Sequence, residues 1–119
     1  MNQEDFIAGL KIVVEEGSIK DVIQGLEKPA GRSLNPDTVE ISEWYLSQSV
    51  KGKKNVESII VESVRTTLFG VLCAVDGVRK ISDHNGWLEL NYLSDEDGQV
   101  SKIKNGMFGD LHDIYRATF

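Results

Sequence analysis

In the first 28 residues, apolar positions recur at helical spacing. The first group predicts an α-helix that Asn2 caps and Gly17 ends. Ser18 can cap a second helix, which Pro29 stops. Two such short helices predict a helical hairpin that must dock on the rest of the protein, because neither is long enough to be stable alone. The two stripes are Phe6, Ile7, Leu10, Val13 and Val14, and then Ile19, Val22, Ile23 and Leu26.

The next segment, residues 29–36, contains both prolines and predicts a loop within one domain. Asn35 and Pro36 are typical of a helix start, and we favour a helix over residues 36–49 rather than a short strand near its beginning. The charged run KGKK at 51–54 predicts a solvated loop. One side of the predicted helix is formed by Ile41, Trp44, Tyr45 and Gln48.

The strongest pattern is an apolar segment over residues 55–76, which Gly77 ends. Its apolar positions extend beyond one narrow stripe, which is typical of a helix with several neighbours. We therefore predict a central helix buried on nearly all sides, with Cys73 as an inert thiol. A membrane span is not expected, because Arg65 and Asp76 bracket only ten residues and a bilayer needs about 20. The main stripe is Val56, Ile60, Val64, Leu68, Val71 and Val75.

After this helix the apolar period shortens to two, which indicates β-structure. A strand is predicted over residues 87–93, between turns at 83–86 and 94–98, with a shorter strand on either side. A third turn at 105–106 precedes a short C-terminal helix. Two sets alternate in the main strand: Leu88, Leu90 and Tyr92, expected to face the core, and Trp87, Glu89 and Asn91, expected to face solvent.

The predicted fold class is therefore α+β, in a single globular domain over residues 1–119. It comprises an N-terminal helical hairpin, a long central buried helix, a small antiparallel β-sheet or meander, and a short C-terminal helix. A chain of 119 residues that is 40% hydrophobic can form a stable core without disulfide bonds or structural metal ions. One cysteine forms no internal disulfide, which fits a reducing compartment. We expect a cytoplasmic protein of bacterial origin.

Charge distinguishes the segment 83–97 from the rest of the chain. The formal net charge is −6, which argues against nucleic-acid binding and favours a basic protein partner. This segment carries five acidic residues and no lysine or arginine. An exposed tryptophan would anchor the partner and the acidic residues would steer it, unless another element covers the tryptophan. The predicted partner-binding residues are Trp87, Glu89, Asn91, Asp95, Glu96 and Asp97.

The sequence favours an interaction protein over an enzyme. Immunity proteins and other inhibitors of toxins share this profile of size and charge. The alternative is a small hydrolase or ligand-binding enzyme that uses His112 with Asp110 or a distant carboxylate. Neighbouring residues on a helix point in different directions, which weakens this alternative, and we assign no catalytic residue. The spacing predicts no zinc or calcium site, and no cofactor is expected. A homodimer through Trp44 and Tyr45 is a third hypothesis.

Overall fold

A computed structural model describes residues 1–31 and 35–119 of the protein. Its helices and its two-stranded antiparallel sheet confirm the predicted α+β class. Of the loop predicted at 29–36, residues 32–34 lie outside the described residues. The elements are α1 (Gln3–Leu10), a π-helical segment (Lys11–Glu16), α2 (Gly17–Glu27), α3 (Pro36–Leu46), α4 (Val50–Val75), β1 (Leu90–Leu93), β2 (Val100–Lys104) and α5 (Leu111–Arg116).

The predicted N-terminal hairpin is wrong, because α1, the π-helical segment and α2 form one continuous helix. Gly17 has φ −61° and ψ −46°, and so it continues the helix. In a π turn each N–H bonds to the carbonyl five residues back, which fits one additional residue into the turn. The inward-facing position therefore moves from Val14 to Glu15, which is buried. Val13, predicted to face the core, is 74% exposed.

Side chains cap the helices much as the sequence predicts. Asn2 and Asn35 each accept a hydrogen bond of 2.8 Å from a backbone N–H in the first turn of α1 and α3. The loop predicted at 51–54 is wrong, because Ser49 caps α4 earlier, accepting from Gly52 N at 3.1 Å. Lysine has good helix propensity, so the charged run continues as the first turns of α4.

The prediction that the central helix is buried on nearly all sides is also wrong. Of the 26 residues of α4, only Leu72 and Cys73 are buried. Apolar residues do recur at helical spacing along α4, but α2 and α3 cover only part of its N-terminal half. By length and composition, α4 is the one helix among the described residues that could cross a membrane, which alone is weak evidence. The core lies at its C-terminal end and consists of Ile7, Leu72, Ile103, Leu111 and Tyr115.

The aromatic pair of α3 is divided between the interior and the surface. Tyr45 is only 2% exposed, and its hydroxyl donates to Glu57 on α4 at 3.2 Å. The hypothesis that Tyr45 lies at a homodimer interface is therefore wrong, because its side chain packs within the chain. Trp44 remains half exposed.

The sheet is a single hairpin within the described residues, since the segment before β1 forms no strand. β1 and β2 pair antiparallel, with Leu93 opposite Val100 and an irregularity just after Leu90. The inward assignment of Leu88 and Tyr92 is wrong, since both are exposed and Leu90 alone of that set packs on the core. The hairpin reaches the core through one end only, so most of both its faces contact solvent.

Candidate functional site

The predicted partner-binding residues all lie on the surface of the hairpin or beside it. Trp87 and Glu89 precede β1, and Asn91 lies on it. The remaining three, residues 95–97, form the turn that joins β1 to β2. All six are exposed, and the indole of Trp87 is 53% exposed. The structure therefore leaves Trp87 uncovered, which the sequence alone could not decide.

The orientation of Trp87 is fixed by a hydrogen bond to Glu89. Trp87 Nε1 donates to Glu89 Oε2 at 3.0 Å, and the backbone N–H of Gly106 donates to the same oxygen at 3.2 Å. These two bonds, the one from Trp87 first, hold the pKa of Glu89 below its usual value. Glu89 is thus a stable carboxylate that holds the ring in place. A fixed aromatic side chain loses little conformational entropy when a partner binds.

Trp87 lines an open groove of about 710 Å³ between two loops, with Arg79, Lys80 and His84 among its other lining residues. The first loop follows α4, and the second joins β2 to α5. Each large apolar side chain in the groove is about half exposed or more. Apolar surface of this kind is a common feature of sites that bind proteins or ligands. The large apolar side chains of this Trp87 groove are Ile81, Trp87, Leu88, Met107 and Phe108.

Lys104 is a buried amine that ties the two walls of the Trp87 groove together. Its side chain is 1% exposed at the end of β2. Lys104 Nζ donates to the carbonyl of Leu88 on one wall, at 2.5 Å. It also donates to the carbonyls of Gly106 and, at 3.3 Å, Met107 on the other wall. The ammonium group has three donors, and all three are therefore used, which stabilises the buried charge.

We expect Lys104→Met to lower the free energy of unfolding by about 2 kcal/mol, because three carbonyls lose a charged donor. Lys102→Met, which changes an exposed residue of the same strand, is the matched control and should change it by less than about 0.5 kcal/mol. Urea denaturation followed by circular dichroism measures both values. Equal losses in the two variants would show that Lys104 does not join the walls.

The acidic turn lies at the opposite end of the hairpin from Trp87. Its conformation is set by Asp97 Oδ1, which accepts from Gln99 N at 2.9 Å, and by Gly98 with φ +69°. Asp5 of α1 lines the same shallow pocket as the three acidic residues of the turn. Eight residues of extended chain from Trp87 to Asp95 span up to about 26 Å. The structure therefore separates the aromatic anchor from the acidic cluster along the length of β1.

The outer edge of β1 connects these two ends. On the other side of the hairpin, the start of α1 flanks β2, where Gln3 Nε2 donates to the carbonyl of Ile103 at 2.9 Å. Among the described residues, no backbone segment besides β2 hydrogen-bonds to β1. Unpaired backbone groups at a sheet edge can accept another strand. The edge of β1 thus offers a line of backbone donors and acceptors between Trp87 and the acidic turn.

His112 pairs with Asp76, a distant carboxylate, rather than with Asp110. Asp76 Oδ2 lies 2.5 Å from His112 Nδ1 and accepts from His112 N at 2.7 Å. The backbone carbonyl of Asp76 accepts from Gly109 N at 3.0 Å. Asp76 thus caps the first turn of α5 and joins it to the end of α4, which is a structural role. Among the described residues, no hydroxyl or thiol side chain hydrogen-bonds to the His112 ring.

Two residues that shape these sites gave no signal in the sequence. Lys104 follows a strand pattern in which lysine is normally solvated, and its carbonyl partners lie in loops. Asp76 is at the C-terminal cap of α4, where many residue types occur, and tertiary contacts with Gly109 and α5 bury it. The Asn-Gly pair at 105–106 was a usable signal for the second wall of the groove.

Comparison with known proteins adds no assignment. The chain matches no protein-family profile, no curated protein and no solved structure at a significant level.

Proposed function

We propose that this protein is a non-enzymatic interaction module that binds a basic protein partner along the hairpin. The observation that carries the proposal is the uncovered indole of Trp87, held by Glu89 at the edge of the Trp87 groove. The acidic turn at 95–97 lies at the far end of the same β-edge. One partner that spans the hairpin contacts all three features.

The partner pairs a strand with the outer edge of β1. Backbone hydrogen bonds along this edge give affinity, and the two ends give specificity. Apolar side chains of the partner enter the Trp87 groove, and basic side chains face the acidic turn. A surface of up to about 26 Å in length fits an interface of standard size, about 800 Å² per partner.

Inhibition of a basic toxin or enzyme is the role that best fits such a surface. An inhibitor must associate quickly, and complementary charge raises association rates. A small acidic protein that neutralises a basic toxin in the bacterial cytoplasm would have the size and charge of this chain. This assignment of class, compartment and origin is part of the proposal.

Charge reversal of the turn tests the proposal. The immobilised chain captures its partner from a lysate of the producing cell, and association with the identified partner is then measured at low and high salt. We expect the triple variant Asp95→Lys, Glu96→Lys, Asp97→Lys to associate about tenfold more slowly at low salt, with a weaker salt dependence. Trp87→Ala should instead raise the dissociation rate about tenfold or more, because the aromatic anchor is lost.

A variant of equal charge provides the control. Asp21→Lys, Glu40→Lys, Glu43→Lys changes three exposed acidic residues on α2 and α3 and shifts the net charge by the same amount. Its association rate should fall much less than that of the turn variant, because the effect of the turn is local. If the two triple variants associate equally slowly, or neither is slowed, the hairpin is not the binding surface.

Hydrolysis at His112 is the second candidate function. Its supporting observation is that the buried carboxylate of Asp76 fixes the ring, as a carboxylate does for a catalytic histidine. The same carboxylate caps α5 through His112 N, so the pair has a structural explanation without catalysis. The interaction module remains our proposal.

A further inference from the structure

The described fold exposes more surface than a compact monomer of its size. Its accessible surface is 8518 Å². A folded monomer of 13.2 kDa exposes about 6,400 Å². Its radius of gyration of 18.3 Å likewise exceeds the roughly 13.5 Å of a compact domain. The surplus of about 2,100 Å² lies in the range that one subunit buries in an obligate dimer.

Much of this additional accessible surface lies on α2, α3 and the first part of α4. In α2, α3 and residues 50–71 of α4, only Ser42 and Tyr45 are buried. As far as the structure describes them, without residues 32–34, these helices form a thin layer that has no core of its own, and apolar side chains remain on its surface. The large ones are Val22, Ile41, Trp44, Leu46, Val50, Ile59 and Val71.

A groove of about 730 Å³ runs along α4 in this layer, beside the ring of Phe119. Its floor includes a row of exposed residues at intervals of four, which places them on one face of the helix. We propose that α4 of a second copy lies antiparallel in this groove and forms a twofold-symmetric homodimer. The row consists of Lys54, Ser58, Glu62 and Thr66.

Lys54 and Glu62 are self-complementary about a twofold axis, while the other charged residues of the groove, Glu57 and Arg65, already pair with Tyr45 and Glu15 in the same chain. Lys54 and Glu62 lie four residues on either side of Ser58, so each is about 6 Å from it along the helix. An antiparallel copy centred on Ser58 therefore places each Glu62 opposite the partner's Lys54. The small Ser58 side chain allows the helices to approach to about 8 Å. In a twofold interface every such contact occurs twice.

The same row argues against other occupants. Lipid chains would leave the charges of Lys54 and Glu62 without partners in an apolar medium, at high cost. A partner of one charge sign could match only one of them. A second copy of this chain matches both charges and covers Val61, which lines the groove beside the axis. This inference is independent of the proposed function of the hairpin, which lies on other elements.

Sedimentation velocity of the full chain over a wide concentration range tests the dimer. We expect a species of twice 13.2 kDa for the wild type. Glu62→Lys alone or Lys54→Glu alone should raise the dissociation constant about tenfold or more, since each places two like-charged pairs in the interface. The double variant Lys54→Glu, Glu62→Lys restores the pairing in the opposite sense and should return the constant to within about threefold of the wild type.

Glu16→Lys makes the same charge change as Glu62→Lys at an exposed position on another helix. It should leave the dimer intact. Circular dichroism of each variant shows whether it is folded, and recovery in the double variant excludes misfolding as the cause. A wild type that stays monomeric at every concentration overturns the inference. So does a dimer that none of the variants weakens, or wild-type chain that co-sediments with lipid vesicles instead of dimerising.

Discussion

Gly77→Ala should destabilise the protein by about 3 kcal/mol or more, a large part of the stability of a domain of this size. Gly77 ends α4 with φ +81°, where its N–H and that of Val78 bond back to the carbonyls of Ala74 and Cys73 at 3.2 and 3.0 Å. This left-handed closure favours glycine. A methyl group at this position would also overlap the backbone carbonyl of Met107. A backbone atom cannot move aside cheaply, so the loop must shift.

Gly98→Ala is the matched control for this prediction. Gly98 has φ +69° in the acidic turn, but open space surrounds the position of its missing methyl group. Its substitution should lower the free energy of unfolding only by the cost of a left-handed backbone conformation for alanine, about 1 kcal/mol. Urea denaturation followed by circular dichroism gives both values. If the two variants lose equal stability, the loop after β2 does not pack against the end of α4 as described.

Glu15→Ala should cost about 3 kcal/mol, because it removes the common partner of three buried or half-buried groups. Glu15 Oε1 accepts from Tyr115 Oη at 2.7 Å and from Arg65 Nε at 3.2 Å, and Glu15 Oε2 lies 3.3 Å from Lys11 Nζ. The Tyr115 hydroxyl is buried and would be left without an acceptor. Glu16→Ala, at the exposed neighbouring position, should change stability by less than about 0.5 kcal/mol.

The same carboxylate gives the stability a defined dependence on pH. Burial is the largest single influence on the pKa of Glu15 and raises it. The hydrogen bonds from Tyr115 and Lys11, with the charges of Lys11 and Arg65, together outweigh burial, so the pKa lies below its ordinary value of 4.5. A carboxyl group with a lowered pKa in the folded state stabilises the protein above the unfolded-state pKa. That contribution is lost as the pH falls through the folded-state value.

Glu15→Gln should therefore flatten the fall of stability below pH 4.5 relative to the wild type. Glutamine keeps an acceptor for Tyr115 but cannot titrate. Urea denaturation at a series of pH values measures the difference between the two chains, in which the other carboxylates cancel. Parallel curves for wild type and variant would show that the pKa of Glu15 is the same in the folded and the unfolded protein.

Local signals in the sequence predicted most of the elements but not their surroundings. Helix caps at Asn2 and Asn35 depend on neighbouring residues, and both were predicted correctly. The burial of α4 was not predicted correctly. Apolar spacing shows which face of a helix can be buried, but it does not show whether the chain supplies enough neighbouring elements to cover that face. Likewise, alternation along the hairpin placed Trp87 outward. It could not show that Leu88 is exposed too, since that depends on the absence of packing behind it.

The candidate site was predictable only in part for the same reason. Charge and turn residues indicate an acidic surface at 95–97 from the sequence alone. The groove depends on Lys104 reaching carbonyls in two loops, which no local pattern encodes. The ring of His112 meets Asp76 across 36 positions of the chain, whereas the sequence offered Asp110 beside it.

The π-helical segment means that the N-terminal helix carries one residue more than its packing requires. Ile7 and Glu15, eight positions apart, are both buried, and the wider turn between them brings them closer to one line along the helix. In a chain without Val13 they would be seven positions apart, nearly two regular turns, and would still point the same way. We therefore expect a chain that lacks one residue there to keep Ile7 and Glu15 on the same face of the helix. A relative aligned to this protein with a gap inside that helix would retain the same architecture.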